Sequence, residues 1–273
     1  MFENNVWWIT GASSGLGAAM AVALAQRGAK LVLSGRNEQA LDEVAARVET
    51  PSFVLPFEAT DFARMTELVE RAWTWAAPQG VFGLINNAGI SQRSIAVETA
   101  FEVFERIVDT DLLGPIALTQ SILPRMVAAK SGRIVAISSI AGIIGAPLRS
   151  AYSAAKSGLI AYNDSVRAET AQHGIKVLVV APGSVRTNVS KNALDGRAQA
   201  RGVSDAAIDN GMAPDVAAQR IVEAIAADER ELILAEGGEL EGTLLRRANP
   251  ELVFDLMAQL VANGYTKQLG AES

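Results

Sequence analysis

Seven short apolar runs alternate with longer stretches of helical periodicity, and this alternation constrains the fold more than any other feature. The runs are apolar on both faces, as in strands that are covered on both sides by helices. The chain is therefore predicted to form a parallel sheet in a doubly wound α/β sandwich. The predicted strands lie at 6–10, 30–34, 52–57, 82–86, 133–138, 176–181 and 231–235.

Helical periodicity fills the stretches between the strands, and Gly114-Pro115 is expected to bend the fourth helix. The predicted helices lie at about 15–27, 37–48, 61–77, 101–129, 150–172 and 214–227. Residues 184–213 are polar and without a clean period, which suits a mobile loop or short helices over a site.

The C-terminal part of the chain predicts a helical tail. Residues 239–262 have helical periodicity that is divided at Pro250. Three roles are open for their apolar positions: packing on the domain, covering the site, or contacting a partner. No linker or internal repeat is visible in the sequence. We therefore predict a single dinucleotide-binding and catalytic domain over 1–273, with a C-terminal helical extension at about 236–273.

Composition excludes several classes of function. The net charge is −6, from 24 basic and 30 acidic residues, which argues against nucleic-acid binding. The chain has no cysteine and one histidine, His173, so disulfides, thiolate catalysis and His or Cys metal clusters are excluded. We assign His173 no role. No signal peptide is visible, and no uninterrupted apolar run approaches the ~20 residues that span a bilayer. We expect a cytoplasmic protein without a membrane span.

A glycine-rich segment follows the first predicted strand. The segment "TGASSGLG" (10–17) places Gly11, Gly15 and Gly17 ahead of an Ala-rich helix. Glycine permits a tight turn and a close backbone approach to a pyrophosphate, whose charge the helix N-terminus then meets. A turn without a ligand is the alternative. The position between strand and helix favours phosphate binding.

The end of the second strand bears on the choice of cofactor. An NAD-binding fold offers an acidic side chain to the ribose hydroxyls here, whereas this chain has Gly35 followed by Arg36. An arginine pairs with a 2′-phosphate, and a carboxylate repels it. NADP(H) is therefore favoured over NAD(H), and the alternative is that Arg36 is a solvated residue at a strand end.

Tyr152 and Lys156 are four residues apart in a predicted helix. Residues at this spacing share one face of a helix, and a lysine cation nearby stabilises a phenolate. A tyrosine in this setting can act as general acid or base. Taken alone, the same spacing is also that of an ordinary amphipathic helix.

Five separated motifs together resemble the short-chain dehydrogenase/reductase family over residues 5 to about 235. They are "TGASSGLG" (10–17), "NNAG" (86–89), "ISS" with Ser139, "YSAAK" (152–156) and "PGSVRT" (182–187). The resemblance implies a Rossmann-type fold of seven parallel strands and NAD(P)-linked oxidation of alcohols or reduction of carbonyls. The basic position after the second strand is similar to that of NADP-preferring members.

The resemblance also implies roles for individual residues. Tyr152 is the expected acid/base, Lys156 holds the nicotinamide ribose, and Ser139 hydrogen-bonds the substrate oxygen. Glu58 stands where the family usually has an aspartate near the adenine, which leaves the adenine contact open. The other expected cofactor contacts are Gly11, Ser13, Ser14, Leu16 and Gly17 at the pyrophosphate, Asn87, Ala88 and Gly89 near the adenosine ribose, and Pro182, Gly183, Val185 and Thr187 at the nicotinamide.

Asp111 departs from the family pattern, because it occupies the position of an asparagine that belongs to the catalytic set. The backbone carbonyl that the family uses there is available from any residue, so we expect activity to survive. An ionised carboxylate favours a protonated Lys156 and disfavours the Tyr152 phenolate. We expect the second effect to win if no basic partner neutralises Asp111. The alternative is that Asp111 only supports a hydrogen-bonded helix bend.

The predicted function is an NADP(H)-dependent carbonyl reductase or alcohol dehydrogenase. Ile140, Ile143, Ile144 and Leu148 lie between Ser139 and Tyr152 in the sequence, which suggests an apolar or amphipathic substrate rather than a small charged one. The alternative is that these side chains pack internally. A catalytically weak NADP-sensing or scaffold protein is the alternative. Pairing through the fourth and fifth long helices, as the family commonly shows, implies a homo-oligomer, either a dimer or a tetramer.

Overall fold

The fold is an α/β sandwich around one parallel sheet of seven strands in the order β3-β2-β1-β4-β5-β6-β7. The computed structural model describes residues 1–77 and 81–268. The strands are β1 (Val6–Thr10), β2 (Lys30–Ser34), β3 (Ser52–Val54), β4 (Phe82–Asn86), β5 (Gly132–Ile137), β6 (Ile175–Pro182) and β7 (Glu231–Leu234). The predicted Rossmann-type fold is confirmed. The third strand ends before the predicted residue 57, although the amides of Leu55 and Phe57 still donate to the carbonyl oxygens of Leu33 and Gly35 at 2.9 and 3.1 Å.

Helices cover both faces of the sheet. Their bounds are α1 (Gly15–Ala25), α2 (Glu38–Ala45), α3 (Met65–Ala76), α4 (Phe101–Val108), α5 (Gly114–Ala129), α6 (Ser150–Thr170), α7 (Ala206–Asp209), α8 (Pro214–Ala226), α9 (Gly237–Ala248), α10 (Pro250–Ala262) and α11 (Tyr265–Gln268).

The central strand β1 shows why the runs are apolar on both faces. Trp7 and Ile9 pack into one half of the core, with side chains of α1, α2 and α8. Val6 and Trp8 pack into the other half, with side chains of α3, α5 and α6. Successive residues of a strand point to opposite faces. When both faces are buried, the sequence of the strand is apolar throughout and does not alternate between apolar and polar residues.

The predicted helix 101–129 is divided by one π-helical turn, Asp109–Leu113, between α4 and α5. A Cβ on Gly114 would lie 2.7 Å from the carbonyl oxygen of Ala59, so glycine permits the close approach of α5 to the chain after β3. The irregularity predicted at Gly114-Pro115 thus begins one turn earlier than those two residues. A π turn presents its side chains differently from an α turn and is frequent at functional sites.

By length and composition, Phe101–Ala129 is apolar enough to cross a membrane. In this fold, Val103, Ile107, Leu118 and Ile122 of that stretch are buried in the core. Packing within the protein therefore accounts for part of its apolar content, since 33% of the apolar stretch is buried. The absence of a membrane span stays a prediction.

The two segments that interrupt the alternation both adopt defined structure. Residues 184–213 form a long connection that contains α7 and is bridged to the chain after β4 through Leu194 and Gln92. The tail divides at Pro250 as predicted, and Asn249 caps α10 by accepting a hydrogen bond from the Leu252 amide at 3.3 Å. The assignment of the whole chain to one domain stays a prediction.

The tail contacts the rest of the protein through few of its apolar residues. Val253 is buried and Met257 lines the large cleft described below. Leu252, Leu256 and Leu260 are exposed. Met257 therefore contributes to covering the site, while several apolar residues of α10 stay exposed.

Gly83 provides a test of the core around β1. A Cβ at this position would lie 2.6 Å from Cζ3 of the buried Trp7 ring. Gly83→Ala should lower the free energy of unfolding by about 1–3 kcal/mol, because overpacking displaces the indole. Urea denaturation measures this change.

Gly145→Ala is the matched control, since an added Cβ there meets nothing within 4 Å. We expect the control to stay within about 0.5 kcal/mol of the wild type. Equal stability of the two variants would show that the core near Trp7 is not packed as described.

Candidate active site

A cleft of about 1100 Å³ opens at the carboxyl ends of the central strands. Ligands of open α/β sheets bind in this position, beside the point where the strand order reverses, here between β1 and β4. The cleft contains every site residue expected from the sequence. Its lining includes Gly11, Ser13, Ser14, Leu16, Gly17, Arg36, Glu58, Asn87, Ala88, Gly89, Asp111, Ser139, Tyr152, Lys156, Pro182, Gly183, Val185 and Thr187. The roles assigned to them stay predictions.

The glycine-rich loop joins β1 to α1 and has room only for glycine at two of its positions. Gly11 has φ +65°, and its added Cβ would lie 2.9 Å from Ala88 Cα. An added Cβ on Gly17 would lie 2.6 Å from Asn87 Nδ2. The backbone of the loop therefore lines the cleft directly, which is what close approach of a phosphate requires.

Thr10 and Asn87 hold this loop against the end of β4. The amides of Asn87 and Ala88 both donate to Thr10 Oγ1 at 3.0 Å. Asn87 Nδ2 donates to the carbonyl oxygens of Thr10 at 3.0 Å and Gly11 at 3.3 Å. The Asn87 side chain is thus committed to fixing the loop, and Thr10 is a positioning residue that the sequence did not single out.

Arg36 and Glu58 lie together at the end of the cleft formed by β2 and the chain after β3. Arg36 Nη1 is 3.7 Å from Glu58 Oε2, and the side chains are 72% and 46% exposed. A Cβ added to Gly35 would be 3.4 Å from Ser13 Oγ, so the glycine-rich loop approaches the same corner. An ion pair this exposed contributes little energy, and Arg36 can leave it at small cost.

Tyr152 and Lys156 share one face of α6, with Lys156 Nζ 5.6 Å from the centre of the Tyr152 ring. Lys156 Nζ donates to the carbonyl oxygen of Ile137 in β5 at 3.0 Å. Ser139 follows β5, and its Oγ donates to the carbonyl oxygen of Pro182 at 3.3 Å. The three side chains predicted for catalysis are therefore brought to the same cleft by α6 and the end of β5.

Asp111 projects from the π turn and is fully buried. Its Oδ1 accepts a hydrogen bond from the Ile90 amide at 2.8 Å. Its Oδ2 lies 3.2 Å from Lys156 Nζ, at ion-pair distance but outside hydrogen-bonding geometry. The repulsion expected between Asp111 and the Tyr152 phenolate required that no basic partner be present. That condition is not met, because Lys156 is the partner.

The buried pair alters the ionisation of both groups. Burial acts to lower the pKa of Lys156, but the Asp111 carboxylate and Tyr152 outweigh it, so this pKa is raised above its ordinary value. Burial raises the pKa of Asp111, and the Lys156 cation and the Ile90 hydrogen bond offset this only in part. Lys156 is therefore held as an ammonium ion on the alkaline side of neutrality.

Gly89 closes the space above this pair. A Cβ at Gly89 would lie 2.7 Å from Asp111 Oδ2 and 3.3 Å from Lys156 Nζ. The last glycine of the "NNAG" motif is therefore needed so that the chain after β4 can pass over the ion pair.

The family model described as short chain dehydrogenase matches residues 5–198. The chain belongs to the short-chain dehydrogenase/reductase family. It is 39% identical over 263 residues to dehydrogenase/reductase SDR family member 7B of Bos taurus, a match that covers 94% of this chain and 81% of that protein. It is 40% identical over 257 residues to SDR family protein 7-like of Anopheles gambiae, covering 91% and 80% of the two chains.

Two solved structures are similar in fold. A short-chain dehydrogenase from Streptomyces avermitilis superposes with a TM-score of 0.78 at 29% identity, covering 96% of this chain and 98% of that one. Levodione reductase superposes with a TM-score of 0.76 at 26% identity, covering 88% and 98%. The chain is thus an oxidoreductase of a family that uses a nicotinamide cofactor.

This short-chain dehydrogenase/reductase uses its tail to fix the segment expected at the nicotinamide. Glu239 of α9 accepts hydrogen bonds from the Ser184 amide at 2.9 Å and from Ser184 Oγ at 2.7 Å. A Cβ on Gly183 would lie 3.1 Å from Glu239 Cδ. Glu239 was not predicted, because one glutamate in a helical tail has no motif around it.

The apolar lining differs in part from expectation. Ile140 and Ile144 line the cleft, as does Met257. Leu148 is buried elsewhere, and neither it nor Ile143 is among the lining residues. Leu148 has a left-handed backbone conformation, with φ +66°.

Asp111→Asn tests the role of the ion pair. Lys156 is charged below its pKa, and the carboxylate raises that pKa, so the variant should lose the ammonium at a lower pH. The alkaline limb of the activity profile should therefore move to lower pH. On the acid side the profiles should converge, because the raised pKa of Asp111 means that the wild type also loses the carboxylate charge there.

Activity measured against pH for both enzymes provides the comparison. Asp109→Asn is the control, since Asp109 lies in the same π turn but only half-buried. Superimposable alkaline limbs for the wild type and Asp111→Asn would contradict an electrostatic role for Asp111.

Proposed function

We propose that this short-chain dehydrogenase/reductase interconverts a carbonyl and an alcohol with NADP(H), on an apolar or amphipathic small molecule. One observation carries the proposal. Tyr152 and Ser139 face the same cleft as a lysine held charged by a buried carboxylate, and the glycine-rich loop lines that cleft as well. The cleft is therefore lined by a proton donor, Tyr152, by a hydrogen-bond donor, Ser139, and by a loop that can bind phosphate.

The residues present fit a dinucleotide. The backbone of the loop at Gly11 and Gly17 leaves a cradle that a Cβ would fill, and Ser13, Ser14 and Leu16 complete it. Thr187 lies against Gly15 at the other side of the loop. When bound, the nicotinamide supplies or accepts the hydride.

The side chains of this chain handle the proton. In the reducing direction, the Tyr152 hydroxyl gives its proton to the carbonyl oxygen, and Lys156, 5.6 Å from the ring centre, stabilises the phenolate that remains. Ser139 Oγ exchanges its long bond to Pro182 for the same substrate oxygen and stabilises its developing charge. In the oxidising direction, the phenolate accepts the proton from the alcohol.

Tyr152→Phe tests this function. With nicotinamide cofactors and a panel of apolar ketones and alcohols, the wild type should turn over at least one compound. The variant should be slower by about 10²–10⁴-fold, because the general acid is lost.

Tyr162→Phe is the control on the same helix. Burial and Glu169 raise the pKa of Tyr162 to about 12, and this side chain does not line the cleft. Cofactor binding without turnover of any compound would favour the alternative, an NADP-sensing or scaffold protein. Equal loss in both variants would mean that the proton donor has been misassigned.

The preference for NADP(H) is supported by Arg36. Its guanidinium is mostly exposed at the cleft end, and in the part of the chain that the structure describes its ion pair is the weak one with Glu58. A 2′-phosphate offers a stronger, doubly hydrogen-bonded partner. Glu58 opposes that phosphate electrostatically, since its carboxylate lies within 4 Å of the same guanidinium.

We expect the wild type to bind NADPH at least ~10-fold more tightly than NADH, a difference of about 1.4 kcal/mol. Arg36→Gln should remove the preference and leave NADH affinity unchanged. Glu58→Gln should strengthen NADPH binding, because it removes the competing carboxylate. Calorimetric titration of the three proteins measures these affinities, and equal affinities in the wild type would refute the role of Arg36.

The assembly and location of the protein are proposed from the family resemblance. The stretch α4 to α5 and the helix α6 are the elements through which the family commonly forms two-fold contacts. We propose a homo-oligomer, a dimer or a tetramer, that acts in the cytoplasm.

A further inference from the structure

A second group of charges lies at the cleft, apart from the Asp111 and Lys156 pair. Arg93 and Arg149 both line the cleft. Arg93 Nε is 2.6 Å from Asp205 Oδ2, and both of these side chains are 2% exposed. Arg149 Nη2 is 3.7 Å from the same oxygen, and its side chain is 18% exposed. One carboxylate oxygen therefore faces two guanidinium groups.

Both oxygens of Asp205 are already hydrogen-bonded to arginines other than Arg149. Its Oδ1 accepts from Arg201 Nη1 at 2.6 Å, and its Oδ2 is taken by Arg93. Burial acts to raise the pKa of Asp205, but the arginine hydrogen bonds outweigh it and lower this pKa to about 2. The carboxylate is therefore ionised at every working pH and supplies a single negative charge.

Arg93 and Arg149 share this carboxylate as an ion-pair partner. Within residues 1–77 and 81–268, Asp205 is the only carboxylate within 4.0 Å of Arg93 or of Arg149. Burial lowers the pKa of Arg93, and the nearby Arg149 charge lowers it further. Asp205 is paired closely with Arg93 and reaches Arg149 only at 3.7 Å, so an anion beside Arg149 would give that guanidinium a closer counter-charge.

Arg93 and Arg149 differ in their freedom to bind a ligand. Arg93 is fixed by Asp205 and also donates through Nη1 to Ser91 Oγ at 2.8 Å and to the Gln92 carbonyl at 2.7 Å. Within residues 1–77 and 81–268, the polar contacts of the Arg149 side chain are long, 3.7 Å to Asp205 and 3.4 Å to Tyr265 Oη. Arg149 is therefore the side chain that can turn to a ligand, while Arg93 holds the site positive.

Arg149 also lies close to the chemistry. It immediately precedes α6, and Tyr152 is three residues later on that helix. Both side chains line the same cleft, so a ligand that occupies it can contact the guanidinium and the phenol together. Ile144 and Ala146 line the cleft as well and provide an apolar boundary for it.

We infer that Arg149, backed by Arg93 and Asp205, binds an anionic group of the substrate, a carboxylate or a phosphate. The substrate is then amphipathic, with an apolar part and an anionic end, and its carbonyl reaches Tyr152. This inference rests on the proposed function for the identity of the reacting group. Guanidinium groups bind both anions through paired hydrogen bonds, so the chemistry alone does not separate them.

A purely structural role for the cluster of Arg93, Arg149 and Asp205 would lead to a different result. The Arg93 and Asp205 pair joins the chain after β4 to the connection 184–213, across 112 residues of sequence. That tie does not need Arg149, which makes no short contact with Asp205. If the cluster is only structural, replacing Arg149 leaves ligand selectivity unchanged.

The test is calorimetric titration of the full-length protein saturated with NADP. The probes are 4-phenylbutyrate, 3-phenylpropyl phosphate and the neutral 4-phenylbutyramide. We expect at least one anion to bind ~10-fold or more tightly than the amide, with an advantage that shrinks as salt is raised. The anion with the larger advantage identifies the group.

Two variants and a control assign the effect to Arg149. Arg149→Gln should bind the anions and the amide equally, and Arg149→Lys should keep part of the preference, since it keeps the charge but not the paired geometry. Arg71→Gln, an exposed arginine paired with Glu67 on α3, should behave as the wild type. Circular dichroism confirms folding of each variant.

The outcomes separate this inference from the proposed function. Equal binding of anions and amide by the wild type, or an unchanged preference in a folded Arg149→Gln, overturns the anion site. Turnover of 4-oxo-4-phenylbutyrate and its amide is measured in parallel. An Arg149-dependent anion preference without turnover of any carbonyl supports the site and contradicts the function, whereas turnover without preference does the reverse.

Discussion

The buried ion pair between Asp111 and Lys156 is the interaction on which the rest of the site depends. Both groups are removed from water, and their contact at 3.2 Å is offset by a desolvation cost that only further hydrogen bonds can meet. The Ile90 amide and the Ile137 carbonyl provide those bonds. The pair therefore joins the chain after β4, the π turn, β5 and α6 at one point, and loss of either partner leaves a buried charge uncompensated.

Several local features near Asp111 and Lys156 are consistent with a requirement to accommodate this ion pair. The π turn Asp109–Leu113 presents Asp111 towards α6, and Gly89 leaves room above the carboxylate. Ser138 Oγ donates to the Lys156 carbonyl at 2.8 Å, which fixes α6 to the end of β5. With the backbone on both sides held in this way, Lys156 cannot move away from Tyr152 without breaking the bonds of three other elements.

The fold was predictable because its signals are local. Strands buried on both faces are apolar runs, and five of the predicted helices match the observed ones closely, although their ends differ by a few residues. The glycines of the loop and the spacing of Tyr152 and Lys156 are local as well. The π turn was not predictable, since the apolar period of residues 101–129 continues through it. The effect of an ionised Asp111 on Lys156 was predicted, but their direct contact was not. Two other contacts between distant residues were missed: Glu239 with Ser184, and Arg93 with Asp205.

The titration of Lys156 measures the central claim most directly. NMR of the enzyme labelled with ¹³C at lysine Cε follows this side chain through its ionisation, and the Lys156→Arg variant identifies its signal. The account predicts a midpoint above 10.5, the ordinary value for lysine, because the Asp111 carboxylate outweighs burial. A midpoint below 10.5 would show that burial dominates and that the ion pair does not hold Lys156 charged, which would contradict the account.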